Sequence, residues 1–235
     1  MRFTFEDLVS VMARLRGPDG CPWDREQTHA SLAPYLLEEA HEVLEAISRA
    51  DTAALREELG DLLLQVVFHG QMAREAGGFA AGDVVDGLTR KLIDRHPHVF
   101  GDGRLGTPAE VLAQWHELKR REAPERGAFD GIPPSLPALA RAQKLLARAA
   151  ANEDNGALRP DVARLAREIH SELDGLLEVQ EPPAEAKAST VPDRLGELLF
   201  AVVALAATLG ADAEAALRNT CERFADRPAR SSDRT

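Results

Sequence analysis

Leu59–Val67, with the sequence LGDLLLQVV, recurs later in the chain as LGELLFAVV at Leu195–Val203. In both copies the apolar residues surround a short polar interruption, and the spacing is typical of a helix that packs on several sides. There are only two copies, which is too few for a solenoid. The recurrence therefore predicts a duplicated helical domain.

The rest of the chain follows the same helical period, and no alternating strand of useful length occurs. A segment rich in Pro and Gly at 123–137 divides the chain. Five helices are predicted before it and four after it, at about 5–15, 31–50, 52–75, 83–96, 108–121, 138–151, 160–179, 192–209 and 212–226. The predicted fold class is all-α, with two tandem domains of the four-helix-bundle type.

Domain boundaries follow from the same pattern. The first domain is predicted at 1–122, a linker at 123–137, the second domain at 138–228 and a frayed tail at 229–235. Within the second domain, Glu181–Pro192 is predicted to be a flexible loop because it is rich in Pro and small polar residues.

The charge balance limits the classes of partner. The 235 residues include 28 Lys and Arg against 39 Asp and Glu, for a formal net charge of -11. This charge opposes general attraction to nucleic acid or to an anionic membrane. The two cysteines make no disulfide framework, and the first residues lack the apolar run of a signal peptide. We expect a soluble cytoplasmic protein that binds neither membranes nor nucleic acids.

Two neighbouring predicted helices carry most of the acidic residues that could do chemistry. Glu38, Glu39 and Glu42 fall within one wedge of the second helix, and Glu58 and Asp61 lie one turn apart on the third. The third helix becomes apolar directly after these acids, which favours a position in a cleft over one in open solvent. Gly60, which lowers helix propensity, would allow another helix to approach closely there. Oxygen ligands select hard cations, so the pattern favours a site for Mg²⁺ or Mn²⁺.

Simpler interpretations stay open at this point. The glutamates of the second helix lie opposite its apolar residues, as on an ordinary solvated face. A ferritin-like di-metal bundle is another alternative, because Glu26-x-x-His29 and Glu38-x-x-His41 occur. Two further pairs of residues lie one helical turn apart, Lys91 with Arg95 and Trp115 with Lys119. The three cations could bind phosphate and Trp115 could stack on a base, or all four could belong to ordinary amphipathic helices.

Several motifs, taken together and in order, closely resemble those of the MazG family of nucleoside triphosphate pyrophosphohydrolases. They are CPWDREQT at 21–28, Glu38-Glu39-x-x-Glu42, Glu58-x-Gly60-Asp61-Leu62-Leu63, Arg95-His96-Pro97-His98-Val99-Phe100 and a linker segment at 131–142. The resemblance covers nearly the whole chain.

The resemblance implies an all-α, metal-dependent homodimer that hydrolyses a nucleoside triphosphate to the monophosphate and pyrophosphate. It assigns the metal ligands to Glu39, Glu42, Glu58 and Asp61, with Glu38 beside them as the candidate catalytic residue that orients the attacking water. It assigns substrate binding to Lys91, Arg95, Trp115 and Lys119. We expect Mg²⁺ as the cofactor, with Mn²⁺ as a substitute, and a role in removing unwanted nucleotides from the pool.

The second repeat departs from this pattern. Glu172 matches Glu39, but Gly175, Arg194 and Glu197 stand where the first repeat has Glu42, Glu58 and Asp61. We therefore expect the first domain to be catalytic and the second to be a degenerate copy. A non-catalytic nucleotide-binding or regulatory module of the same fold is the alternative function.

Overall fold

The structure is a computed structural model that describes residues 2–104, 106–122, 127–151, 161–178 and 184–225. Side chains are also left undescribed at 116, 117, 119–122, 178 and 184–190. All regular secondary structure in the described residues is helical, which confirms the predicted all-α class. The chain divides into two compact units, Met1–Glu122 and Ala123–Thr235, here called the first and second units.

Side chains cap the starts of three helices of the first unit, where they satisfy free backbone N–H groups. Thr4 and Asp7 form a capping box at the first helix, the Asp51 carboxylate accepts hydrogen bonds from two backbone N–H groups at the fourth, and Thr107 and Glu110 form a capping box at the last. The bounds are α1 Phe5–Leu15, α2 Pro22–Glu26, α3 Ala33–Ser48, α4 Thr52–Glu75, α5 Ala81–Arg95, α6 Pro97–Phe100 and α7 Pro108–Glu122.

The core of the first unit lies between α1, the segment before α3, and the second half of α4. Its fully or nearly buried members are Met12, Leu32, Val67, Phe68 and Met72. The α4 residues among them follow the acidic first half of that helix, so the core holds α4 in place below its carboxylates. Burial of large apolar side chains contributes about 1.5–3 kcal/mol each.

Arg16 fastens three segments of the first unit to one another. Its guanidinium donates hydrogen bonds to both carboxylate oxygens of Glu75 at the end of α4, and to the backbone carbonyls of Asp24 and Gln27. It also lies 5.4 Å from the ring centroid of Phe68. Because these hydrogen bonds favour the charged carboxylate, the pKa of Glu75 is lowered.

The second unit contains α8 Ala138–Ala151, α9 Val162–Glu178, α10 Ala184–Thr208 and α11 Ala213–Ala225. α9 and α10 pack against each other, as α3 and α4 do in the first unit. Leu165 and Val203 are buried in this unit. The Gln143 side chain ties α8 to the start of α11, donating to the carbonyl of Ala211 and accepting from the N–H of Ala213.

Two predicted boundaries are wrong. α10 begins at Ala184, inside the predicted loop, because Ala-Glu-Ala-Lys-Ala is a run of strong helix formers and the helix tolerates Pro192 in its interior. α5 begins at Ala81 and not after Gly82, so Asp83 lies in the first turn, where its carboxylate accepts a hydrogen bond from the N–H of Ala80. The predicted tail at 229–235 lies outside the described residues.

The expected close approach of a helix at Gly60 is also wrong. A Cβ atom built at Gly60 would meet no other heavy atom within 4 Å. The apolar segment around it is only partly buried: Val67 is fully buried, whereas Leu63 and Val66 are 40% and 39% exposed. The segment therefore has one core face and one face that this chain leaves open.

Among the described residues, no single helix is both long and apolar enough to span a membrane. One bent pair, Val191–Thr208 with Ala213–Ala225 at 105°, meets those limits only when its two helices are taken together.

The two glycines of α4 give a matched test of the packing. At Gly70, a Cβ atom would lie 2.9–3.1 Å from the backbone N, Cα and Cβ atoms of Ala81, so Gly70→Ala should destabilise the protein by about 1–3 kcal/mol. At Gly60 there is open space, so Gly60→Ala should stabilise it by about 0.5–1 kcal/mol through helix propensity. Thermal or urea unfolding of both variants checks this, and equal effects would contradict the packing described here.

Candidate active site

Three carboxylates from two helices meet in the first unit. Glu39 lies on α3, and Glu58 and Asp61 lie one turn apart on α4. One oxygen from each of the three lies within 4.8 Å of the others. No described Lys or Arg forms an ion pair with any of the three. The packing of α3 against α4 thus brings like charges together without a protein cation between them.

The pKa values of the cluster show that its carboxylates repel one another and are partly desolvated. The pKa of Glu39 is raised, first by burial and then by the charges of Asp61 and Glu42. The pKa of Glu58 is also raised, by burial and then by Glu42 and its other acidic neighbours. Both residues are partly buried. A divalent cation at this point would relieve the repulsion, because its charge opposes that of every member of the cluster.

Gln65, one turn beyond Asp61 on α4, supports the cluster. Its side chain is 5% exposed, and its polar interaction with the Glu39 carboxylate partly offsets the rise in the pKa of Glu39. Its Oε1 atom is buried and has no hydrogen-bond partner among the described residues. Sequence reasoning missed this role, although Gln65 is the one polar residue in the apolar segment Leu62–Phe68.

The remaining predicted acids lie at the edge of the cluster. Glu42 is exposed and outside the group of mutually close oxygens, although its charge raises the pKa values of both Glu39 and Glu58. Glu38 is exposed and also outside that group. Oxygen-only donors, an unmatched negative charge and the orphaned Gln65 Oε1 together fit a hard divalent cation.

A second group contains two of the predicted substrate-binding residues. The Arg95 guanidinium, at the end of α5, lies 5.7 Å from the ring centroid of Trp115 on α7. This is the distance of a cation–π contact. Lys91 is exposed one turn before Arg95 on α5. Lys119 lies on α7, but its side chain is outside the described residues.

Trp115 also lines a cavity of about 570 Å³ at the start of α7. Thr107, Val111 and Leu112 line it as well. The size is within the range of small-molecule sites, and the lining is largely apolar. An indole face beside a guanidinium is suited to stacking on a planar base.

The histidines do not form the site that a ferritin-like bundle would need. His29 Nδ1 lies 2.7 Å from His69 Nδ1, and the two rings are stacked. Burial and the neighbouring His29 lower the pKa of His69. The group of mutually close acidic ligands found in the described residues contains no histidine.

Comparisons with known proteins show which family the chain is similar to. Residues 27–100 match the model of the MazG nucleotide pyrophosphohydrolase domain. The chain is 46% identical over 222 residues to the nucleoside triphosphate pyrophosphohydrolase of Escherichia coli K12, which covers 92% of this chain and 82% of that protein. It is 42% identical over 225 residues to the nucleoside triphosphate pyrophosphohydrolase/pyrophosphatase MazG of Thermotoga maritima, which covers 95% of this chain and 83% of that protein.

A relative from Mycobacterium tuberculosis, also named nucleoside triphosphate pyrophosphohydrolase, is 45% identical over 145 residues, or 61% of this chain and 44% of that protein. These matches favour the enzyme over the non-catalytic alternative, and this family implies a divalent metal, which the cluster of Glu39, Glu58 and Asp61 fits. This chain belongs to the MazG family of nucleoside triphosphate pyrophosphohydrolases.

Proposed function

We propose that the first unit hydrolyses ribo- and deoxynucleoside triphosphates to monophosphate and pyrophosphate with Mg²⁺, or Mn²⁺ in its place. Glu39, Glu42, Glu58 and Asp61 hold the metal. The observation that carries this proposal is the convergence of three carboxylate oxygens within 4.8 Å, without a described cation beside them. The enzyme works in the cytoplasm, where it removes unwanted nucleotides from the pool.

A divalent ion bound by these acids would neutralise phosphate oxygens and polarise the α-phosphorus. Glu38, next to Glu39 on α3, orients the attacking water. Lys91, Arg95 and Lys119 balance the charge of the departing pyrophosphate. Trp115 contacts the base, and its ring is already held beside the Arg95 guanidinium. Stacking on an indole discriminates weakly between bases, so we expect a broad range of nucleotides.

The two units have different roles in this proposal. Residues 1–122 are the catalytic domain, 123–137 the linker and 138–228 a degenerate second repeat. The support is the charge of the site residues: the first repeat offers four acids, whereas the second has Glu172 and Glu197 with Arg194 between them in the chain.

We also propose that the enzyme is a homodimer formed through the apolar faces of the first unit. On α5, exposed apolar residues follow a helical stripe, namely Val84, Val85, Leu88 and Leu92, which are 38–54% exposed. Leu63 and Val66 add exposed apolar surface on α4. Apolar surface of this extent favours a protein partner.

The metal site is tested by Asp61→Ala, with Glu57→Ala as the matched control on the same helix. Loss of a metal ligand should lower the rate of pyrophosphate release by more than about 100-fold. Mutating a residue that only hydrogen-bonds to a metal ligand already lowers metal affinity or activity by about 10- to 100-fold. Glu57→Ala should stay near the wild-type rate. Mg²⁺ should raise the melting temperature of the control but not of Asp61→Ala. Near-normal turnover by folded Asp61→Ala protein would refute the site.

Gln65→Met keeps the size of the side chain but removes its polar interaction with the Glu39 carboxylate. We expect the Mg²⁺ concentration for half-maximal activity to rise by about tenfold, because the Glu39 carboxylate would no longer be held in the orientation that binds the metal. The melting temperature without metal should change little or rise, since a buried polar atom without a partner is removed. An unchanged metal requirement would show that Gln65 is structural only.

Leu88→Asp tests the dimer, and Thr89→Asp adds the same charge at the next position, outside the apolar stripe. Light scattering should give twice the mass of one chain for the wild type and for Thr89→Asp, but a lower mass for Leu88→Asp. A monomeric wild type at micromolar concentration would exclude the proposed dimer.

A further inference from the structure

The second unit contains a changed copy of the acidic site. α9 and α10 correspond to α3 and α4, and the repeated stretch aligns Arg194 with Glu58 and Glu197 with Asp61. Glu172 and Gly175 stand where the first repeat has Glu39 and Glu42. Four acids with a formal charge of -4 are thus replaced by two acids and one guanidinium, with a formal charge of -1.

The Arg194 side chain lies across α9 at the glycine. Its Nη1 atom is 3.7 Å from Glu172 Oε2, close enough for an ion pair but too long for a hydrogen bond. A Cβ atom at Gly175 would lie 1.9 Å from Arg194 Nη1 and 2.8 Å from Cζ. The guanidinium therefore fills the space that any side chain at 175 would take. This contact explains a glycine in the interior of α9, where it costs about 1 kcal/mol relative to alanine.

A cavity of about 630 Å³ opens beside this guanidinium. Arg167, His170, Ser171 and Asp174, all from α9, line it together with Gly175 and Arg194. With His170 neutral, its lining side chains carry a formal charge of +1, from two arginines and one aspartate. No described residue accepts a hydrogen bond from Arg194. The guanidinium donors are thus suited to a planar or tetrahedral oxyanion.

We propose that the second unit binds a phosphate-bearing anion in this cavity without a divalent cation. Arg194 contacts the phosphate oxygens in the place where the first unit would need a metal, and Arg167 and Ser171 add further donors. Glu172 holds the arginine from the opposite side. This site is independent of catalysis in the first unit, so either proposal can fail without the other.

Inorganic pyrophosphate is the probe, because it tests recognition of phosphate without a base. The protein is the full chain with Asp61→Ala, which removes a proposed metal ligand of the first unit, in the presence of EDTA. Isothermal titration calorimetry should show saturable binding. Arg194→Gln should weaken it at least tenfold, whereas Arg164→Gln, on α9 but outside the cavity lining, should leave it unchanged.

Gly175→Ala gives an independent test, because it keeps every charge but displaces the guanidinium. We expect the same loss of affinity, with circular dichroism showing that the helices remain. No binding in EDTA, binding that survives both Arg194→Gln and Gly175→Ala, or equal weakening by Arg164→Gln would each overturn the proposal.

Discussion

The main constraint on the first unit is that the packing of two helices holds negatively charged side chains close together in spite of their repulsion. α3 and α4 bring Glu39, Glu58 and Asp61 together, and the raised pKa values of Glu39 and Glu58 record the cost. The apolar second half of α4 offsets that cost, because Val67, Phe68 and Met72 anchor the same helix in the core. One helix therefore carries both the acidic residues and the residues that anchor it in the core. This arrangement is consistent with a site completed by a cation, since a positive charge opposes that of every carboxylate in the cluster.

The two units differ in how charge is arranged where two of their helices pack together. In the first unit, no described Lys or Arg forms an ion pair with Glu39, Glu58 or Asp61. In the second unit Arg194 supplies the opposing charge from within, and Gly175 makes room for it. These two residues depend on each other sterically, because a side chain at 175 cannot coexist with this position of the arginine. The second unit thus pairs an acid of α9 with a guanidinium of α10, whereas the acids of α3 and α4 lie together.

Local sequence chemistry predicted much of the fold. The helical period of the apolar residues predicted α4 at Thr52–Glu75. Thr107 with Glu110 predicts the start of α7, because capping is decided by residues close in sequence. The predicted loop at Glu181–Pro192 was wrong from Ala184 onward, because the weight given to its prolines exceeded that of the helix-forming alanines. Spacing also placed Glu39, Glu58 and Asp61 on facing sides of two helices. It could not show that Glu42 lies outside the close group, since that depends on side-chain conformation.

Contacts between segments that are distant in sequence could not be predicted from the helical period of the apolar residues. The effect of Gln65 on the pKa of Glu39 and the cation–π contact of Arg95 with Trp115 both link residues of different helices, so no local pattern contains them. Gly60 was expected at a close helix contact, yet the space beside it is open. The stretch Leu59–Val67 was expected to pack on several sides, whereas Leu63 and Val66 are partly exposed.

The Arg16 side chain has a further consequence for how the molecule loses its structure. It joins α1, the segment around α2 and the last turn of α4 through one guanidinium. None of these three segments can detach without leaving a nearly buried positive charge or an unpaired Glu75. They therefore open as one cooperative unit, and fraying at the amino terminus is opposed by the same helix that bears the carboxylates.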